Sequence, residues 1–326
     1  MSVSNTTRDE SDLRHKLAEI HVTVLAGGVG GAKIADGIAQ HVSPENLSIV
    51  VNTGDDFDHL GLRICPDLDT VMYLLAGVAN SETGWGRSGE SWRAMEEVKR
   101  LGGPDWFALG DLDLGTHLIR THLLADGLSL SGVTHHLCDV FGIGVDLLPM
   151  SDQPAPTLID TDEGQLPFQT WFVEQQWQPA VKEILFPHDV RATTQVVNAL
   201  SNTHILVVAP SNPFVSIDPI LNVYPIREMV TDLPAMVVAI SPIIAGKAVK
   251  GPAAKMMQEM GMPATSSAVA SYYDGLIDLF VSDVRDEDSP DQSDLLTMQT
   301  DTLMVDQGDR SRLAREILTF CMEHIE

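Results

Sequence analysis

An apolar β-type run, residues 22–26, stops at a cluster of glycines (Gly27, Gly28, Gly30 and Gly31) and gives way to a helical pattern with Ile34, Ile38 and Val42 on one face. A second apolar run, 47–51, follows and ends in Asn-Thr-Gly-Asp-Asp. Strand, glycine turn, helix and strand within about thirty residues close as a right-handed βαβ unit with parallel strands. That unit constrains the chain more than any other feature. It predicts an α/β fold: a doubly wound, mainly parallel, Rossmann-like sheet. The alternation resumes late in the chain, with strands predicted over 205–209, 235–240 and 279–284, helices near 225–231 and 252–260, and a closing helix over 312–324.

Between 84 and 200 the pattern changes. Helices are predicted over 90–101, 112–126 and 129–141, with a strand over 145–149 and extended segments near 158–159. This stretch is read as a mostly helical insertion that covers the active edge and the substrate. Residues 21–83 and 201–326 then form the Rossmann-like nucleotide- or phosphate-binding core. Residues 1–20 are polar and have no apolar h-region, so they read as a disordered arm ending in a short helix and not as a signal peptide. The stretch 286–294 reads as a solvated acidic loop.

No apolar run reaches the length of about eighteen residues that a membrane span needs. Cys65, Cys138 and Cys321 are an odd number with no CxxC pair, which suits reduced thiols in a cytoplasmic protein. Against 46 Asp and Glu stand only 20 Lys and Arg, a net charge of −26. Such a balance excludes a general nucleic-acid binder and argues against anionic membranes. A phosphate ligand would need local relief from cations, a metal ion or a helix N-terminus.

Four segments could carry chemistry, all predicted at the C-terminal edge of the sheet, where open α/β sheets bind ligands. In the first, Gly28, Gly30 and Gly31 free backbone N–H groups at a helix start, a phosphate cradle. The spacing is not that of a Walker loop, and a tight structural turn is the alternative. Lys33 supplies a phosphate cation or is simply solvated. The second segment joins Asn52, Thr53, Asp55 and Asp56 to Arg63, Asp67 and Asp69. Carboxylates so close repel one another unless Arg63 or a divalent cation compensates, and all-oxygen ligands suit Mg²⁺. One of Asp67 and Asp69 could serve only as a helix cap. In the third, Ser211, Asn212 and Ser216 offer hydroxyl and amide groups, unless the prolines mark a plain turn. The fourth holds Lys247 and Lys250, two of only seven lysines, as an anion site or a surface loop. The histidines carry less: His117 and His122 are five apart and share no helical face, and His135 and His136 are adjacent. Trp85, Trp92 and Trp106 could line an aromatic pocket or pack in the core.

In order and spacing, LAGGVGGAK, VNTGDD, LRICPDLDTVMYLLAGV, GWG, WFALGD, LLPMSD, APSNPFVSI and SPIIAGKAVKGPA resemble the 2-phospho-L-lactate transferase (CofD) family of coenzyme F-420 biosynthesis, from about Val22 to Val284. Its bacterial branch is called phosphoenolpyruvate transferase. The resemblance implies attack on a GDP-activated phospho-acid by the primary alcohol of the deazaflavin Fo, with release of GMP, a Mg²⁺ requirement and a homodimer. Carried onto this chain, the glycine loop and Lys33 hold the donor phosphates, and Ser211 and Asn212 belong to the donor side. Asp69 contacts Fo or the metal, with Asp55 and Asp56 near the same centre as metal ligands or general base. One departure stands out: relatives commonly read GDRD where this chain has Gly110-Asp111-Leu112-Asp113, so a cation is missing there. Two other readings remain. One is a non-catalytic nucleotide- or nucleotide-sugar-binding regulator of the gluconeogenesis-factor type. The other is an NAD-dependent oxidoreductase with Asp55 on the ribose.

Overall fold

The computed structural model describes residues 13–288, 290 and 295–325. Seven strands form the central sheet: β1 (Val22–Ala26), β2 (Leu47–Val51), β3 (Asp146–Pro149), β4 (Ile205–Val208), β5 (Met236–Ile240), β6 (Leu279–Asp283) and β7 (Leu296–Thr300). All neighbours are parallel, in the order β7-β6-β5-β4-β1-β2-β3. The order reverses between β1 and β4, which makes their C-terminal ends the switch point where such sheets open a crevice.

Burial on both faces explains why these strands read as continuous apolar runs. Successive side chains alternate between two cores. Val22, Val24, Ile49, Val51, Ile205 and Val207 face one; Leu25, Val50, Leu206 and Val208 face the other. The first core is covered by helices α1 (Gly28–Ala39), α2 (Pro66–Leu75), α4 (Leu130–Phe141) and α6 (Gln307–His324), with α3 (Asp111–Ala125) packed alongside α4. The second is covered by α5 (Thr194–Asn202), the helices Ala253–Glu259 and Ser266–Tyr272, and Trp171. Local signals set the ends. Thr193 caps α5 through the Val196 N–H, and Asp306 with Asp309 forms a reciprocal capping box on α6.

Three sequence expectations need correction. The stretch 84–200 is not a separate insertion, because β3 lies inside it and completes one edge of the central sheet. It also carries an antiparallel three-stranded sheet, Leu158–Thr161, Gly164–Pro167 and Val181–Leu185, where mostly helix was expected. The short helix expected at the end of the arm is present at 13–19, with Leu13 and Leu17 buried in the first core; residues 1–12 lie outside the described residues. Of the acidic loop, 289 and 291–294 lie outside the described residues as well, and Asp286 is buried, accepting the Ala245 N–H at 2.7 Å.

Helices α1 and α6 touch at backbone distance. A Cβ on Gly37 would stand 2.3 Å from the Arg310 carbonyl oxygen and 3.2 Å from the Ala314 methyl. In a free helix Gly→Ala stabilises by about 1 kcal/mol. Here Gly37→Ala should reverse that sign and cost roughly 1–3 kcal/mol by overpacking. Urea denaturation measures it, and a stabilised variant would contradict this packing.

Candidate active site

At the switch point the loop after β1 meets the loop after β4 so closely that side chains are excluded. A Cβ on Gly27 would lie 2.6 Å from the Ser216 Cβ, one on Gly30 2.3 Å from the Pro210 carbonyl oxygen, and one on Gly31 2.9 Å from the Ser211 hydroxyl. Ser211 ties the two loops by donating to the Gly27 carbonyl at 2.7 Å. Gly28 has φ +61, the left-handed region that favours glycine, and α1 begins there. An open cavity of about 580 Å³ lies against this junction, and Gly27, Gly28, Gly30, Lys33, Ser211, Asn212 and Ser216 reach its wall. Gly31 does not line it; its role is the close contact with the second loop. Asn212 caps the following turn at the Phe214 N–H, 3.0 Å away.

The carboxylates divide into two groups. In the first, the Asn52 amide donates at 3.0 Å to both Asp55 and Asp67 and at 3.2 Å to the Val215 carbonyl. Among the described residues no lysine or arginine pairs with either carboxylate. Burial, with Asp67 beside it, raises the Asp55 pKa well above the ordinary value, and burial raises Asp67 to about 6. Both line the cavity. Two oxygen donors that lack a counter-charge fit a hard cation such as Mg²⁺. Asp56 lies behind them and does not line the cavity; its buried oxygens have no hydrogen-bond partner, and Arg63 stands 3.6 Å away. Burial pushes Asp56 up to about 7, against the pull of Arg63. Arg63 also reaches Asp58 at 3.5 Å and does not line the cavity; nor does Thr53, whose buried hydroxyl is unbonded.

The second group already contains its cation. Asp69 gives both oxygens to the buried Arg120 guanidinium, one bond at 3.0 Å and the other shorter. Arg120 also donates to His117 Nδ1 at 3.0 Å. His117 Nε2 lies 3.3 Å from Asp113 Oδ1, which accepts the Tyr73 hydroxyl at 2.6 Å. Donor atoms of Asp69, Asp113 and His117 lie within 4.8 Å of one another, a spacing that could hold a metal. The guanidinium, bonded to two of the three, supplies the positive charge instead. Asp69 was expected among the metal ligands; here both its oxygens are bonded to Arg120, whereas Asp55 and Asp67 have no such cation beside them. Neither Asp67 nor Asp69 is the cap of α2: that position is Cys65, and both aspartates sit in the first turn.

Lys33 donates to the Met304 carbonyl at 2.5 Å, and Lys250 to the Thr83 carbonyl at 2.9 Å; both line the cavity. Burial lowers the pKa of each, and Arg310 and then Lys250 lower that of Lys33 further. Lys247 is exposed on a short hairpin away from the cavity, so the lysine that reaches the site from this loop is Lys250. Trp85, Trp106, Phe107, Phe168 and Phe172 add aromatic wall, whereas Trp92 does not reach it. Leu112, at the departure from GDRD, is 43% exposed and outside the cavity, and Glu90 binds the N–H groups of Leu112 and Asp113 at 2.7 and 2.9 Å. Sequence reasoning missed Asp113, His117 and Arg120, although their spacing at i, i+4 and i+7 puts them on one face of α3.

The family model for "2-phospho-L-lactate transferase CofD" matches residues 22–320. The chain belongs to the CofD family. Membership makes it a transferase of coenzyme F-420 biosynthesis. The phosphoenolpyruvate transferase of Streptomyces coelicolor is 36% identical over 315 residues, 93% of this chain and 99% of that one. The 2-phospho-L-lactate transferase of Methanospirillum hungatei is 37% identical over 300 residues, 91% and 99% of the two chains. A phosphoenolpyruvate transferase of Kitasatospora aureofaciens is 42% identical over 279 residues, 82% and 86%. A solved member of the UPF0052 family from Bacillus halodurans shares the fold at TM-score 0.61 and 14% identity, covering 92% of this CofD-family chain and 99% of that one.

The carboxylates make a pH test of this electrostatic account. Asp56 stands near 7 in the folded protein against about 4 unfolded, so its contribution to stability is full at low pH and is lost as pH rises through that window. Asp56→Asn keeps the shape and cannot ionise. It should gain on the wild type by up to about 1 kcal/mol per pH unit between about pH 5 and pH 7. Urea denaturation of both proteins across this range checks it, and a pH-independent difference would contradict the buried-carboxyl account.

Proposed function

We propose that this transferase joins a GDP-activated phospho-acid to the primary alcohol of the deazaflavin Fo, releasing GMP. The observation that carries the reading is the mixed lining of one cavity. The glycine loop, the N-terminus of α1, Lys33 and Lys250 suit a diphosphate. Trp106, Phe107, Phe168 and Phe172 offer flat apolar surface suited to a fused aromatic ring system. A simple nucleotide-binding regulator has no use for the aromatic lining. The NAD reading asks for an acid on a ribose, but Asp55 is instead bound up with Asn52 and Asp67.

Phosphoryl-type transfer asks for positioning and charge stabilisation more than for covalent help from the protein. In this reading the amides of the glycine loop and the two lysines hold the phosphates, and the lysines exchange their carbonyl partners for phosphate oxygens. Asp55 and Asp67 would hold Mg²⁺, which when bound offsets phosphate charge beside a strongly acidic chain. The aromatic wall orients the acceptor and excludes water from the reacting centre.

Relatives of nearly equal identity are named for phosphoenolpyruvate and for 2-phospho-L-lactate, so identity alone does not choose the acid. Purified protein, Mg²⁺ and Fo incubated separately with GDP-activated phospholactate, phosphoenolpyruvate and phosphoglycerate settle it by mass analysis. We expect one donor to be preferred, with GMP formed in equal amount to the new phosphodiester. Absence of product from all three would overturn the reading.

A further inference from the structure

A primary alcohol attacks phosphorus well only if its proton is taken up as the new bond forms. The proton acceptor is not assigned by the reading above, on which this inference rests. Four buried carboxylates line the cavity, those of Asp55, Asp67, Asp69 and Asp113. Three are committed elsewhere. Asp55 and Asp67 share the Asn52 amide and are the pair that fits a cation. Asp69 has both oxygens on Arg120.

Asp113 is different. Its contacts with the Tyr73 hydroxyl, 2.6 Å, and with His117 Nε2, 3.3 Å, are both made by Oδ1 and leave Oδ2 uncommitted. An arginine can only donate, so the 3.0 Å contact from Arg120 makes His117 Nδ1 an acceptor. The ring proton then sits on Nε2, which lies 3.3 Å from Asp113 Oδ1 but outside hydrogen-bond geometry. His117 therefore has no free nitrogen with which to take a substrate proton, and its part is to hold Asp113. Burial works to raise the Asp113 pKa, but His117 and then Tyr73 and Arg120 hold it below the usual range, so at neutral pH it is a carboxylate. The groups facing it are Tyr73 and Asp69 from α2 and His117 and Arg120 from its own helix, while Glu90 binds its backbone N–H.

We propose that Asp113 accepts the proton of the attacking hydroxyl through Oδ2, with Tyr73 and His117 as positioning residues. The hydroxyl O–H bond breaks toward Asp113 as its oxygen bonds to phosphorus. The phosphoanhydride bond breaks, and its electron pair leaves on the nucleoside monophosphate. Asp113 then returns the proton to solvent.

Single-turnover rates of wild type and Asp113→Asn across pH, with donor and Fo affinities measured separately, test this. The wild-type rate should be flat between about pH 6 and pH 8, because the base is already ionised. Asp113→Asn should be slower by about a hundredfold or more, bind both substrates within about threefold of wild type, and speed up about tenfold per pH unit as hydroxide replaces the lost base. A variant within tenfold of wild type, or equally flat with pH, overturns the proposal. If Asp113→Asn does not fold, Tyr73→Phe answers the question. Loss of the phenol hydrogen bond raises the Asp113 pKa, so the acidic limb of the profile should move to higher pH, and an unmoved limb overturns the proposal. A wild-type protein that turns over no donor overturns the transferase reading and this assignment together, whereas an active wild type with a fast Asp113→Asn overturns this assignment alone.

Discussion

The backbone contact between the loops after β1 and β4 is the constraint on which the rest of the site depends. Helices leave the sheet in opposite directions at this point, and the crevice they open is useful only if the two loops stay in register. Gly27, Gly30 and Gly31 allow that by bringing backbone within contact of Ser216, Pro210 and Ser211. A methyl at Gly30 would meet a carbonyl oxygen, not a movable side chain, so the strain could not be relieved by a rotamer change. The same contact aims the start of α1 into the cavity and sets Ser216 beside Asp67. The glycine loop, the acidic pair and the loop after β4 are thus positioned by one junction.

Electrostatics then divides the labour. A chain of net charge −26 buries four carboxylates around one cavity, and three of them are stabilised in two ways. Asp69 is matched by Arg120, a buried pair whose breaking on one side costs about 3–5 kcal/mol, so that carboxylate is committed to holding α2 against α3. Asp55 and Asp67 have an amide but no cation, and burial raises the pKa of both, Asp67 to about 6. In the proposed reading, a divalent cation bound at such a site would displace protons.

Much of this was legible in the sequence because it follows from backbone rules. The βαβ start, the parallel sheet and the gathering of four loops at one edge came from apolar runs and glycines. What was missed depends on side chains that meet across elements. Strand β7, reading Leu-Thr-Met-Gln-Thr, is a half-exposed edge strand with no apolar run to announce it. Lys247 and Lys250 look alike in sequence, but the hairpin that precedes Lys250 turns only the latter inward. The role of Asp69 could not be seen without Arg120, 51 positions away. The histidine judgement compared His117 with His122, when the informative comparison was with Asp113 and Arg120 on the same face of α3.

If one cavity holds both substrates, phosphate lies on the glycine side and metal on the acidic pair that lacks a cation. A crystal structure with GDP and Mn²⁺ in place of Mg²⁺, using the anomalous signal of the metal, tests this most directly. The account predicts the diphosphate against the amides of residues 27–31 within reach of Lys33 and Lys250, and the metal on Asp55 and Asp67 with the Asp69–Arg120 pair intact. Metal bound by Asp69, Asp113 and His117 with Arg120 displaced, or a diphosphate away from the glycine loop, would contradict it.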